Sequence, residues 1–135
     1  EFRHFRKFCN KYDIIQIQMM KKKYRAIVAY MMSDWYIFCL INKKYGEIIA
    51  LRNDFVEYFP KNPYNKETKY FIRKDEKYIL SIDLLHGHYE VFEGKTRKLW
   101  IAEYNFSGQR LTPLDMTRKQ LEEMRNTHKV EETDR

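Results

Sequence analysis

The stretch KYFIRKDEKYILSIDLLHGHYEVFEGKTRKLWIAEYNF, residues 69–106, decides the fold. Its runs KYFIR, KYILSID, YEVFE and KLWIAEYNF are short, aromatic and β-branched. Lys74 to Glu76 joins the first two, and GKTR joins the last two. Runs of this length bounded by charged or glycine-bearing connections read as strands with tight turns, so an antiparallel meander is expected. Gly87 and Gly94 fall where the chain must bend, and only glycine adopts positive φ there at no steric cost.

Working upstream, Pro60 and Pro63 mark PKNPYNKE as a loop. Before it, WYIFCLI and EIIAL flank the polar segment Lys43 to Gly46, a pattern that predicts a further hairpin. Residues 2–12, FRHFRKFCNKY, read as a helix, and the weakly alternating DIIQIQMM after them reads as a strand. The Met pairs Met19, Met20 and Met31, Met32 read as core filler. Downstream of Gly108, LTPLDMTRKQLEEMR carries helix-start marks: Thr112 as N-cap, Pro113 in the first turn and Asp115 three residues after the cap. Arg118 then lies in the second turn. From Asn126 the chain turns polar, so a frayed tail is expected over 127–135. The expected class is α+β: a strongly twisted antiparallel sheet with an N-terminal and a C-terminal helix.

A chain of 135 residues with 44% hydrophobic content suits one domain with a real core. Its net charge of +7 and pI near 9.3 favour a polyanionic partner, nucleic acid first and a membrane surface second. Ser33 and Asp34 split the apolar runs, so no stretch reaches spanning length and no membrane partner is expected. Cys9 and Cys39 are too few for a disulfide framework and lack the companions of a zinc site. The chain opens on Glu1 without a recognisable signal peptide, which suggests a segment of something longer. KKKYR at Lys21 to Arg25 reads as a solvated face, with phosphate contact and base stacking as the functional alternative.

The residues that carry chemistry are Asp83, His86, His88 and Glu90, within DLLHGHYE. They bring proton donors and acceptors together in a basic domain. Cleavage of RNA by its own 2′-hydroxyl needs a base for that hydroxyl, an acid for the leaving oxygen, and positive charge at the phosphate. It requires no serine, thiolate, metal or cofactor. On one straight strand His86, His88, Glu90 and Phe92 share a face, with His86 and Glu90 about 13 Å apart. Asp83 has the wrong parity and joins them only through a bend or bulge at Leu84 to Gly87.

The spacing Asp-x-x-His-Gly-x-x-Glu of Asp83, His86, Gly87 and Glu90, preceded by KYILSI and followed by a further strand and FSGQRL, resembles the cytotoxic domain of the ribonuclease colicins and cloacin. Arg118 follows Gly108 at the interval at which that family places its essential arginine. The resemblance covers roughly Thr68 to Met124. It implies Glu90 as general base, His86 as general acid or phosphate stabiliser, Asp83 as the group that orients or assists them, and Arg118 as stabiliser of the transition state. His88 is an alternative acid or an RNA contact.

It further implies cleavage of small-subunit ribosomal RNA at the decoding site, action in bacterial cytoplasm, delivery within a larger toxin, and an acidic immunity or antitoxin partner. Residues 1–66 would be the lead-in and 67–126 the catalytic core of a single domain. Phosphate contacts are expected from Lys95, Arg97, Lys98, Arg110 and Lys119, and base stacking from Phe92, Trp100 or Tyr104. A nuclease of transfer or messenger RNA and a noncatalytic RNA- or ribosome-binding domain are the alternatives.

Overall fold

The computed structural model describes residues 34–132 together with residues 15, 18, 19, 22 and 23. The helix expected over 2–12 lies outside the described residues. Within 13–20, Ile15, Gln18 and Met19 are helical rather than extended.

The described fold is α+β, ordered α1 (Asp34–Arg52), β1 (Phe55–Tyr58), β2 (Tyr70–Arg73), β3 (Tyr78–Asp83), β4 (His88–Glu93), β5 (Leu99–Asn105) and α2 (Arg118–Thr127). The five strands form one antiparallel sheet in sequence order. The meander read from residues 69–106 is therefore present, and β1 extends it by a strand the sequence reading lacks. Asp54 reverses the chain between α1 and β1 at φ +66°.

The hairpin expected around Lys43 to Gly46 is instead the middle of α1. Asn42, Gly46, Ile49 and Ala50 are its buried positions, while Phe38 and Leu51 are exposed. The stripe facing the sheet thus includes an amide and a glycine, so hydrophobicity alone hides the helical period. A Cβ at Gly46 would meet the Phe106 ring at 2.9 Å, and the Tyr89 hydroxyl donates to the Gly46 carbonyl. Absence of a side chain here sets how closely α1 approaches the sheet.

Strand alternation separates two cores. Phe55, Phe71, Leu80, Ile82, Tyr89 and Val91 pack with Ile49 and Ala50 of α1 on one face. Tyr70, Ile72, Ile79, Phe92 and Trp100 pack with Leu121 and Met124 of α2 on the other.

The C-terminal helix begins later than Thr112 suggests. Thr117 is the N-cap: its hydroxyl accepts from Gln120 N–H at 3.1 Å, and the Gln120 side chain accepts from Thr117 N–H at 2.9 Å. This reciprocal box satisfies two otherwise orphaned amides, and it makes Arg118 the first helical residue rather than one of the second turn.

Residues 128–132 are not frayed. Val130 has no exposure and joins the α2-side core. Its carbonyl accepts from Tyr64 N–H at 2.9 Å, and Glu132 N–H donates to the Asn62 carbonyl at 3.1 Å. One buried valine with strand-like pairing ties down a segment whose composition is otherwise polar. Among the described residues no helix is long and apolar enough to cross a membrane.

Candidate functional site

Leu84 to Gly87 form the β3–β4 turn, not a bulge in one strand. Gly87 N–H donates to the Asp83 carbonyl at 2.9 Å, with Gly87 at φ +68°. Asp83 therefore pairs with His88 across the hairpin and Ser81 with Glu90, so Asp83, His88 and Glu90 share a face. The parity obstacle belongs to a straight strand and vanishes at a turn.

Asp83 builds that turn. Its Oδ1 accepts from the N–H groups of Leu85 and His86 at 3.0 and 3.1 Å, while Oδ2 lies 2.8 Å from His86 Nδ1. From α1, the Asn42 side chain donates to the Leu84 carbonyl at 2.9 Å, and a Cβ on Gly87 would meet its amide at 3.0 Å. The turn is thus gripped from both sides. Burial disfavours the Asp83 carboxylate, but hydrogen bonds from His86 and the charges of His88 and His86 outweigh it and hold the carboxyl below its usual range. His86 projects outward, its side chain 69% exposed, with its ring stacked on that of His88 at 5.6 Å.

Glu90 lies inside, only 5% exposed. Trp100 Nε1–H donates to its Oε1 at 2.7 Å, and its Oε2 lies 2.9 Å from His88 Nε2. Glu103, its cross-strand partner, places Oε2 2.8 Å from the same nitrogen, and Asp83 Oδ2 is 3.5 Å away. Burial works against a charged His88, yet the Glu90 hydrogen bond and the charges of Glu90, Glu103 and Asp83 raise its pKa. Burial and then the Glu90 charge raise Glu103 as well. Asp83, His86 and His88, or His88, Glu90 and Glu103, offer ligand atoms within 4.8 Å of one another and could hold a divalent ion.

A cleft of about 320 Å³ opens beside this cluster. Asp83, Glu90, Ser81 and Phe92 supply its sheet side, Tyr64 and Lys69 another wall, and Thr127, His128 and Lys129 the end of α2. His128 Nε2 lies 3.8 Å from Glu90 Oε1. Neither His128 nor Glu103 was singled out from the sequence. Their relation to Glu90 comes from strand pairing and from the return of the chain after α2, and leaves no local spacing to read.

The remaining expected residues divide. Arg118 opens α2 and is exposed, whereas the cleft meets the other end of that helix, about 13 Å along its axis at 1.5 Å per residue. Among the described residues it has no ion-pair or hydrogen-bond partner and does not join the cluster. Lys119 follows it, also exposed.

Lys95, Arg97 and Lys98 do not surround the site. They sit at the β4–β5 turn, the far end of a strand about 17 Å long from His88. Lys95 pairs there with Glu76 at 3.2 Å and Lys98 with Glu131 at 3.0 Å. Arg110 lies opposite Tyr104, near the site's end of the sheet, but its guanidinium donates to the Thr112 and Pro113 carbonyls at 3.0 and 3.4 Å. Phe92, 2% exposed, and Trp100, fully buried, have no ring face free for a base; Tyr104 is half-buried and Tyr64 exposed. Comparisons with family models, curated proteins and solved structures returned no match.

Proposed function

We propose that this protein is an endoribonuclease that cleaves RNA by attack of the 2′-hydroxyl on the adjoining phosphate. The observation that carries the reading is the 2.8 Å contact of His86 with Asp83, a carboxylate that lines the same cleft as Glu90. With Nδ1–H held by Asp83, His86 turns Nε2 away from its partner, the arrangement in which a carboxylate orients an imidazole for proton transfer. Glu90 takes the 2′-hydroxyl proton, the 2′-oxygen bonds to phosphorus, and the 5′-oxygen leaves with a proton from His86. The products are a 2′,3′-cyclic phosphate and a 5′-hydroxyl, and solvent resets both side chains. Lys43 and Lys129 bring positive charge to the cleft, and Arg118 enters only if RNA draws its side chain toward the phosphate.

The resemblance to the ribonuclease colicins makes small-subunit ribosomal RNA the first target and an acidic inhibitor the expected partner, since opposite charge speeds association with a basic groove. Purified protein is expected to cut RNA in EDTA. Glu90→Gln, which keeps an acceptor for Trp100, and His86→Ala are each expected to lower turnover about 100-fold or more with the fold retained. Retained cutting by both variants would remove the assignment. Primer extension on RNA from exposed ribosomes should give one dominant stop in small-subunit RNA, whereas stops in transfer or messenger RNA would move the target.

A noncatalytic RNA-binding reading is favoured by one observation. Glu90 and Asp83 already have structural work, one bonded to Trp100 and His88, the other capping a turn. Salt-sensitive binding with no new RNA ends would establish that reading instead.

A further inference from the structure

Among the described residues, His128, at the C-cap of α2, is the one histidine of the cluster that reaches it from outside the β3–β4 hairpin. Its Nδ1 lies 2.9 Å from the Met124 carbonyl oxygen and 2.9 Å from Thr127 Oγ1. A carbonyl can only accept, so Nδ1 carries a proton toward it. The ring is thereby fixed with Nε2 turned toward Glu90 Oε1, 3.8 Å away, on the wall of the cleft. That separation is too long for a hydrogen bond and short enough for charge pairing. When the ring is doubly protonated, its Nε2–H is therefore not spent on Glu90. Its side chain is 30% exposed, against 7% for Glu90, and it lines the cleft.

We propose that His128 is a catalytic residue of this site, donating Nε2–H to a nonbridging oxygen of the RNA phosphate while Glu90 beside it takes the 2′-hydroxyl proton. This rests on the ribonuclease reading and adds the cation that Arg118, at the other end of α2, does not supply. The two groups lie side by side rather than on opposite sides of phosphorus. Their 3.8 Å spacing suits the attacking oxygen and a nonbridging oxygen of one phosphate, and the leaving oxygen stays with His86. Charge grows on the nonbridging oxygens as the 2′-oxygen bonds, so this donor strengthens in the transition state and acts on kcat more than on KM.

Two replacements separate the ring nitrogens. His128→Asn keeps a donor near Nδ1 for the Met124 carbonyl and loses Nε2, whereas His128→Gln keeps a neutral donor near Nε2. The Asn variant is expected to lose about 100-fold in kcat, with KM and melting temperature near wild type. The Gln variant should recover part of that loss. At saturation with an uncleavable 2′-deoxy oligonucleotide, the His128 ring proton resonances should shift.

An Asn variant within threefold of wild type, or ring resonances that stay fixed at saturation, overturns the proposal while leaving the ribonuclease reading standing. Wild-type protein that makes no RNA ends removes that reading and this one together.

Discussion

His88 shows how a residue singled out for chemistry can be fixed by electrostatics instead. Its Nε2 is within 3.5 Å of Asp83, Glu90 and Glu103 carboxylates, and its pKa is raised despite burial. A raised folded-state value means that the folded chain holds the proton more tightly than the unfolded chain. The stabilisation is then fully present below the ordinary histidine value of about 6.5 and is lost as pH rises through the folded value. Glu103 acts with the same sign from a lower ordinary value, and lowered Asp83 acts with the opposite sign in acid. Between pH 6.5 and 9 the melting temperature should therefore fall in wild type and stay flatter in His88→Gln; parallel slopes would refute the network. The closeness of Asp83, His86 and Glu90 was legible because all three sit on one hairpin. Glu103 and His128 were not legible, since each meets Glu90 only after the sheet and α2 have closed. The burial of Phe92 is illegible for a related reason: alternation gives its face but not whether α2 covers it.

At the scale of elements, what was legible follows from how each element's signal is written. The β2–β5 meander announces itself through charged or glycine-bearing turns between short aromatic runs, and four strands stand where those runs are. In α1 the signal is inverted, because Asn42 and Gly46 face the sheet while Phe38 and Leu51 face out. Those buried small and polar positions serve the site, as the Asn42 amide holds the Leu84 carbonyl of the turn that presents His86. For α2 two threonines compete for the N-cap, and only Thr117 is followed at N3 by a residue, Gln120, that closes the reciprocal box. Thr117→Ala should cost about 1 kcal/mol and lower the melting temperature by a few degrees. Thr112→Ala, whose hydroxyl accepts only a 3.4 Å bond from Glu103 N–H, should cost less than about 0.5 kcal/mol. Equal losses in thermal melts would show that the cap is misplaced.

Over the whole molecule, net charge was legible and its distribution was not. A formal +7 points to a polyanion, but position along the chain misplaces the cations, because a hairpin sends neighbours in sequence to opposite ends of a sheet. Lys95 and Arg97 lie at the end remote from the cleft, and Lys98 is committed to Glu131. Lys69, which lines the cleft, is tied to Glu47 and Glu57 at 3.0 and 3.6 Å. Lys43 is exposed, and Lys129 sits 5.9 Å over the Tyr64 ring on the same cleft, so among the described residues that line it these two remain for phosphate. Each contact to single-stranded RNA releases about 0.7 of a counterion, which sets the slope of log affinity against log salt. Replacing Lys43 and Lys129 together by Ala should therefore flatten that slope by about 1.4, and replacing Lys95 and Arg97 together should leave it within about 0.3 of wild type. Filter binding of an uncleavable 2′-deoxy oligonucleotide from about 50 to 200 mM salt measures both slopes. If the Lys95 and Arg97 pair carried the larger change, RNA would be running along the β4–β5 turn, and the cleft beside Glu90 would lose its claim to the phosphate.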